Sequence, residues 1–262
     1  MDKIASARAV DISISVVSHL QAGLVFNLLS DISKFCDTSS IEVILTLNLP
    51  ETLPFELETY DFPIKVLKNS SPLGFASNHN QASGSANGKY FCVLNPDVRF
   101  TNNPFTHLVN TLNDQTVGLA APLVVNSAGE PEDSMRSFPS PLEILGKVFG
   151  RASATHIPDS GVFASPDWVA GMFMLFRHEL FSKIGGFDAC YFLYYEDVDI
   201  CARLRLEGYQ VVVCRNSTVV HEAQRVSHRN LRYLKWHLSS MLRFFFSPVY
   251  RKLRMRINSI KG

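Results

Sequence analysis

Short β-prone runs alternate with segments of helical spacing, and this alternation restricts the possible folds more than any other feature of the chain. Runs rich in Val, Ile and Leu predict strands at 11–17, 41–47, 64–67, 90–94 and 118–125. Between them, apolar residues recur every three or four positions, which predicts helices at 23–35, 76–85 and 104–112. Such alternation indicates βαβ units, and therefore an α/β fold with a mostly parallel central sheet flanked by helices.

The second half of the chain is less regular. Residues 126–166 have little periodicity and contain five prolines, so we expect long loops with short helices there. A loop of this length inside a domain is usually functional. Beyond it, the pattern predicts a strand at 168–177, a short helix at 178–184, a helix at 196–207 capped by Gly208, and a strand at 209–214.

Composition indicates one sizeable domain with an appendage, since the chain has 262 residues of which 46% are hydrophobic. The five cysteines are scattered, odd in number and without a C-x-x-C pair, which predicts buried thiols in a reducing compartment. The first eight residues lack a signal-peptide-like apolar stretch, and no segment approaches the roughly 18 apolar residues of a membrane span. We therefore expect a cytoplasmic protein.

The charge distribution divides the chain. No Asp or Glu follows Glu222, whereas 223–262 holds ten of the 25 bases, which leaves the preceding part with 15 bases against 24 acids. We expect a main domain at 1–222 and a basic helical segment at 223–262. Within that segment, 229–246 has amphipathic spacing, and its apolar face consists of Leu231, Leu234, Leu238, Met241, Leu242 and Phe245.

A basic amphipathic segment favours an anionic partner. With its interleaved aromatics, it is typical of a helix that lies on an anionic membrane, here the inner face of the cytoplasmic membrane. The alternative is that it packs on the acidic body. Nucleic acid is not expected, because the rest of the chain would repel it.

The predicted strand at 90–94 ends in Asn95-Pro96-Asp97. Ligands of open α/β sheets bind at the carboxyl ends of the strands, and an Asp there can hold a divalent cation against a diphosphate. The same tripeptide is also ordinary turn chemistry. His221 follows another apolar run at 217–220, where it is either a structural histidine or a second metal ligand.

Three acids lie at the start of the predicted helix at 196–207: Glu196, Asp197 and Asp199. The helix dipole favours acids at this position, and Asp199 has the spacing to pair with Arg203. Three acids directly after a run of aromatic residues (191–195) are nevertheless more than helix capping requires. A carboxylate held ionised at a helix start is suited to act as a general base.

Eight short motifs occur in order along the chain. They are V-V-S-H (16–19), L-G-F-A-S-N-H-N (73–80), L-N-P-D-V (94–98), D-W-V-A-G-M-F-M-L-F-R (167–177), G-G-F-D (185–188), Y-E-D-V-D-I-C-A-R-L (195–204), G-Y (208–209) and V-V-H (219–221). The series resembles the inverting nucleotide-sugar glycosyltransferases of family 2, which have a GT-A fold. It is most similar to the bacterial O-antigen rhamnosyltransferases, over about residues 12–246.

The resemblance implies transfer of L-rhamnose from dTDP-β-L-rhamnose to a polyprenyl-diphosphate-linked sugar in lipopolysaccharide synthesis. Asn95 and Asp97 match the D-x-D-like motif, and Asp97 would bind Mg²⁺ or Mn²⁺ together with His221. Asp197 matches the catalytic base, supported by Glu196. Transfer of a UDP-hexose, and a non-catalytic binding protein on a decayed transferase fold, are the alternatives.

The resemblance also assigns the binding positions. Those for the donor are Ser18, His19, Asn48, Gly74, Phe75 and Asn80. Those for the sugar and acceptor are Trp168, Ala170, Gly171 and Tyr195. The chain departs from the family pattern at two positions that would bind the nucleotide. Leu47 occupies a position where the family often has an Asp, and Asn95 replaces the first acid of D-x-D.

Overall fold

Strands and helices alternate through the first half of the chain, as its sequence predicts. The computed structural model describes residues 10–141, 161–221 and 231–261. The strands within these ranges are β1 (Ile12–Ser18), β2 (Ile41–Leu47), β3 (Ile64–Lys68), β4 (Tyr90–Leu94), β5 (Val98–Phe100), β6 (Val117–Val125), β7 (Met135–Arg136), β8 (Phe163–Ala164), β9 (Trp168–Val169), β10 (Phe173–Arg177) and β11 (Gln210–His221). The α-helices are α1 (Ala22–Phe35), α2 (Phe75–Ser83), α3 (Phe105–Leu112), α4 (His178–Lys183), α5 (Glu196–Leu206), α6 (Leu231–Phe246) and α7 (Pro248–Lys261).

The central sheet has the strand order β3-β2-β1-β4-β10-β6-β11-β5. Its first four strands are parallel to one another, which is the Rossmann-like half that alternation predicts. The second half is mixed, because β10 runs antiparallel between β4 and β6 while β6 and β11 are parallel. Strands β7 and β9 form a separate two-stranded sheet. The expected class, a GT-A-like α/β fold, is confirmed.

Helices cover both faces of this sheet, so its central strand β4 is apolar on both sides. On β4, Cys92 and Leu94 join the core beneath α1 and α3, whereas Phe91 and Val93 join the core that includes residues of α2, α4 and α5. The alternation follows the two-residue period of a strand. It leaves the carboxyl end of β4, at Asn95, on the rim of the sheet.

Several predicted boundaries are wrong. The strand expected at 168–177 is broken at 170–172, because the backbone there binds other partners: the Ala170 amide donates to Ser134, and the Met172 carbonyl accepts from Asn95. The strand expected at 209–214 continues through a bulge to His221. The three-residue strand β5 was not predicted, and the basic segment expected to be helical at 223–262 contains a second helix, α7, beyond the amphipathic stretch at 229–246. Cys190 is exposed, against the expectation of buried thiols.

The basic helix α6 presents most of its predicted apolar face to solvent, whereas Met241 and Phe245 of that face are half-buried. Leu231, Leu234, Leu238 and Leu242 are exposed by 82%, 54%, 45% and 52%. The helix instead packs through Phe244, in a cluster that also contains Tyr191, Tyr195, Val198, Ala202 and Leu253. None of the described helices combines the length and apolarity needed to cross a bilayer. The expected domain boundary at 222/223 lies outside the described residues and stays a prediction.

Candidate active site

A three-residue loop between β9 and β10, residues 170–172, connects the two acidic positions that the sequence singles out. The Gly171 amide donates to Asp197 Oδ2 over 3.2 Å. The next residue, Met172, accepts a hydrogen bond from the Asn95 amide at 2.9 Å. The end of β4 and the start of α5 therefore flank the same loop, although 100 residues separate Asp97 from Asp197.

Sheet register brings His221 to Asp97. Strand β5 begins immediately after Asp97 and pairs with β11 so that Val98 lies opposite His221. His221 Nε2 lies 3.3 Å from Asp97 Oδ2, and its Nδ1 lies 2.7 Å from Glu132 Oε2. Burial lowers the pKa of His221, but the hydrogen bonds with the two carboxylates outweigh that effect and leave the pKa above its ordinary value.

One carboxylate oxygen of Asp97 lacks a hydrogen-bond donor among the described residues. Its Oδ1 is buried and makes no hydrogen bond within the described residues. A buried carboxylate oxygen without a donor is expensive unless a ligand binds it. In the part of the chain that the structure describes, no three His, Cys, Asp or Glu side chains are grouped to hold a metal ion. A site of two protein ligands suits a cation that is also bound by substrate phosphates.

Helix α5 begins in a strained turn. Tyr194 and Tyr195 both have left-handed backbones, with φ of 70° and 67°, a conformation that disfavours side chains as bulky as tyrosine. The turn leads directly into the acids of the first helical turn. There, Asp197 Oδ1 accepts the Val198 amide at 2.8 Å while Oδ2 accepts from Gly171. The carboxylate is thus held at two points.

The three acids of this turn differ in environment. Burial and the adjacent Asp197 raise the pKa of Glu196 well above its ordinary value, which favours its neutral form. Burial raises the pKa of Asp197 to about 6, against the opposing effect of donated hydrogen bonds and of the Arg136 charge. Asp199 pairs with Arg203 at 2.7 Å, as predicted from their spacing.

Two glycines allow the predicted donor and acceptor segments to meet. The Phe75 amide donates to the Phe192 carbonyl at 2.9 Å, and a Cβ on Gly74 would lie 2.8 Å from Phe192 Cα. A Cβ on Gly171 would lie 2.9 Å from the Phe75 ring. Asn80 makes both of its side-chain hydrogen bonds to the backbone of Phe187, so it braces the loop before α5.

The predicted nucleoside residues lie together at the carboxyl ends of β1 and β2. Asn48 Nδ2 is 3.3 Å from His19 Nδ1, and Asn48 Oδ1 accepts the Leu73 amide at 2.8 Å. Ser18 is already engaged, since it donates to Glu51 Oε2 at 2.5 Å. The other oxygen of Glu51 accepts the Ala22 amide at the start of α1. The roles of these residues stay predictions.

On the acceptor side, the structure adds residues that the sequence did not indicate. The Arg136 guanidinium lies 5.7 Å from the ring centroid of Trp168, whose Nε1 donates to the Ser137 carbonyl. His237 of α6 contacts the rings of Tyr194 and Tyr195 with centroids 5.4 and 5.5 Å apart. Burial lowers the pKa of His237, and the Arg136 charge lowers it further.

The site residues that were not predicted have few distinguishing features in the sequence. Glu132 and Arg136 lie in the aperiodic segment, where no predicted strand fixed their position. His237 lies in a helix that was interpreted by its apolar spacing, aromatic residues and charge, none of which singles out this histidine. Glu51 follows β2 by four residues and resembles any loop acid. Only the register of β7 with β9, in which Arg136 lies opposite Trp168, brings Arg136 to the site.

Comparison with known proteins supports a glycosyltransferase. The model of glycosyl transferase family 21 matches residues 66–251. Rhamnosyltransferase WbbL of Escherichia coli K12 is 27% identical over 186 residues, which are 65% of this chain and 69% of WbbL. The N-acetylglucosaminyl-diphospho-decaprenol L-rhamnosyltransferase of Mycobacterium tuberculosis H37Rv is 28% identical over 53% of this chain and 48% of its own length.

Solved structures agree on the fold. GalNAc-T7, crystallised with UDP, GalNAc and Mn²⁺, matches with a TM-score of 0.63 at 15% identity, over 82% of this chain and 44% of that protein. Mannosyltransferase PcManGT of Pyrobaculum calidifontis, in complex with GDP-Man and Mn²⁺, matches with a TM-score of 0.61 at 16% identity, over 90% of this chain and 65% of its own.

Proposed function

The chain belongs to glycosyl transferase family 21, and from this premise we propose that it transfers L-rhamnose, with inversion, from dTDP-β-L-rhamnose to a polyprenyl-diphosphate-linked sugar. Its place would be in bacterial surface polysaccharide (O-antigen) synthesis. One observation carries the proposal: the Asp97–His221 pair and the Asp197 carboxylate flank the same loop at 170–172. Leaving-group and proton chemistry would thus have separate groups beside one loop.

Asp197 is the base in this proposal. The acceptor hydroxyl oxygen attacks the anomeric carbon, its proton passes to Asp197, and the bond from that carbon to the diphosphate oxygen breaks. A pKa of about 6 leaves Asp197 ionised at neutral pH yet basic enough to take the proton. The raised pKa of the buried Glu196 favours its neutral form, which would add no charge beside Asp197. No covalent intermediate is needed.

Asp97 and His221 would hold the Mg²⁺ or Mn²⁺. The unsatisfied oxygen of Asp97 supports this assignment, and two protein ligands leave room for oxygens of the donor diphosphate. When bound, the cation would offset the negative charge that develops on the departing diphosphate. Because Asn95 is uncharged, we expect weak metal affinity until the nucleotide is present.

The identity of the donor can be tested by comparing the binding of different nucleotides. The names of the relatives support rhamnose, whereas the solved structures carry UDP or GDP-mannose. Thermal shifts with dTDP and with UDP, each with Mn²⁺, should favour dTDP. A screen of nucleotide sugars for metal-dependent hydrolysis should then single out dTDP-rhamnose. A larger response to UDP would favour the UDP-hexose alternative, and no turnover of any donor would favour a non-catalytic binding protein.

We further propose that α6 lies on an anionic membrane, where a lipid-linked acceptor would be found. Its exposed leucines supply the apolar face, and exposed Arg232, Lys235 and Arg243 supply charge. Each base near such a surface contributes about 1 kcal/mol. The inner side of the same helix brings His237 to Tyr195 at the catalytic turn.

Vesicle co-sedimentation tests this surface. The protein should sediment with vesicles that contain anionic phosphatidylglycerol and much less with neutral phosphatidylcholine, and added salt should release it. Leu238→Glu should reduce binding at least several-fold. Val66→Glu, which adds the same charge at an exposed position on β3, is the matched control. Equal binding of the two variants would contradict the proposal.

A further inference from the structure

Carboxylates hold the His221 ring from both sides. Its Nε2 faces Asp97 at 3.3 Å, while its Nδ1 lies 2.7 Å from Glu132 Oε2. The side chains of all three residues are largely buried, with exposures of 13% for His221, 17% for Asp97 and 25% for Glu132. The shorter contact is the one to Glu132, on the side of the ring away from Asp97.

Backbone hydrogen bonds fix Glu132 at this place. Its amide donates to the Val124 carbonyl at 2.9 Å, and its carbonyl accepts the Ser134 amide at 2.8 Å. The preceding residue, Pro131, forms a bridge with Val125. Since β6 lies beside β11, with Val125 opposite Val220, this anchoring sets Glu132 next to His221.

We propose that Glu132 is a positioning residue for the cation site, an inference that rests on the proposed metal role of Asp97 and His221. Glu132 accepts the N–H of His221 Nδ1 and so, when the cation is bound, would fix the tautomer whose Nε2 lone pair is available to the cation at Asp97. Histidines that bind metals commonly donate their second nitrogen to a carboxylate, which orients the ring and increases its basicity. Glu132 itself touches neither donor nor acceptor in this proposal.

Mn²⁺ affinity tests the proposal without any transfer reaction. Free Mn²⁺ is measured by electron paramagnetic resonance during titration of the full chain, with dTDP or UDP present, whichever gives the larger thermal shift. Glu132→Ala should weaken Mn²⁺ binding about 10-fold or more, within the range of about 10–100-fold typical of such partners. Glu132→Gln should lie between Ala and wild type, because its amide oxygen still accepts a hydrogen bond.

Glu130→Gln is the matched control. Glu130 lies two residues away, is exposed, and accepts a hydrogen bond from Asn126 Nδ2. This variant should bind Mn²⁺ within about 2-fold of wild type. Thermal unfolding without metal verifies that every variant is folded, so that a loss of affinity is not a loss of structure.

The His221→Ala background separates positioning from other roles. If Glu132 acts through His221, adding Glu132→Ala to His221→Ala should produce no further loss of Mn²⁺ affinity. Equal losses on both backgrounds, or affinity within 2-fold of wild type in Glu132→Ala, would overturn the proposal. A wild-type protein that binds no Mn²⁺ would instead overturn the proposed metal role itself.

Discussion

Acidification should inactivate the enzyme by protonating Asp197. Burial raises the pKa of this carboxyl from 3.8 to about 6. The proposed base works only when ionised, so activity should be present above pH 6 and lost as the pH falls through that value. About 91% of molecules carry the ionised form at pH 7 and about 9% at pH 5, so kcat/KM for the acceptor should fall roughly tenfold between them.

The assay follows kcat/KM for the acceptor from pH 4.5 to pH 8 at saturating donor and Mn²⁺. Both phosphates of a nucleotide sugar are esterified, so the donor itself does not titrate near pH 6. Mn²⁺ affinity is measured in the same buffers, because His221, whose pKa is raised by its two carboxylate partners, is a proposed metal ligand. Only the part of the pH profile that persists at saturating Mn²⁺ is assigned to Asp197.

Arg136→Gln provides an internal comparison. The positive charge of Arg136 lowers the pKa of Asp197, so its removal should move the midpoint of the profile to higher pH. Of the other titratable groups coupled to Asp197, Glu196 and Cys201 receive no contribution from Arg136, whereas the pKa of Tyr195 would rise with that of Asp197. A midpoint near pH 4 in the wild type, or a midpoint that does not rise in Arg136→Gln, would refute the reasoning.

Three further substitutions probe the same site. Asp197→Asn should reduce turnover by about 10²–10⁴-fold while nucleotide binding, measured by calorimetry, stays close to wild type; unchanged turnover would remove Asp197 from the base role. Gly74→Ala should destabilise the fold by about 1–3 kcal/mol in urea unfolding, because its Cβ would lie 2.8 Å from the Phe192 backbone. Gly23→Ala in α1, where a Cβ meets nothing within 4 Å, should instead stabilise by about 0.5–1 kcal/mol, and the same sign for both glycines would contradict this packing. Arg203→Leu should reduce the free energy of unfolding by about 3–5 kcal/mol, since it leaves the buried Asp199 unpaired; a loss below about 1 kcal/mol would contradict that.

The sequence predicts the parallel half of the sheet well, because its signals are local. Strands β2 and β4 match their predicted bounds, and α1 begins one residue early. Strand β5 has only three residues, too few for any periodic pattern. The break at 170–172 depends on Ser134 and Asn95, which are distant in the chain, so no local pattern indicates it.

The candidate site, too, is predictable from the sequence only where the signals are local. The three acids of α5 are adjacent in sequence and could be recognised together. Their protonation states could not be predicted from the sequence, since they depend on burial and on the charge of Arg136, which lies on another strand. Likewise, the order of the motifs made His221 a plausible partner of Asp97. The position of Glu132 could be recognised only from the hydrogen bonds that anchor residues 131–134 beside β6.

The anomeric configuration of the product tests the central claim, a single displacement assisted by Asp197, most directly. Wild-type enzyme is incubated with dTDP-β-L-rhamnose, Mn²⁺ and a lipid-linked sugar acceptor, and the glycosidic linkage is assigned by nuclear magnetic resonance. The account predicts an α-L-rhamnoside, because one attack from the face opposite the diphosphate inverts the anomeric carbon. A β-L-rhamnoside would mean retention of configuration and would contradict it.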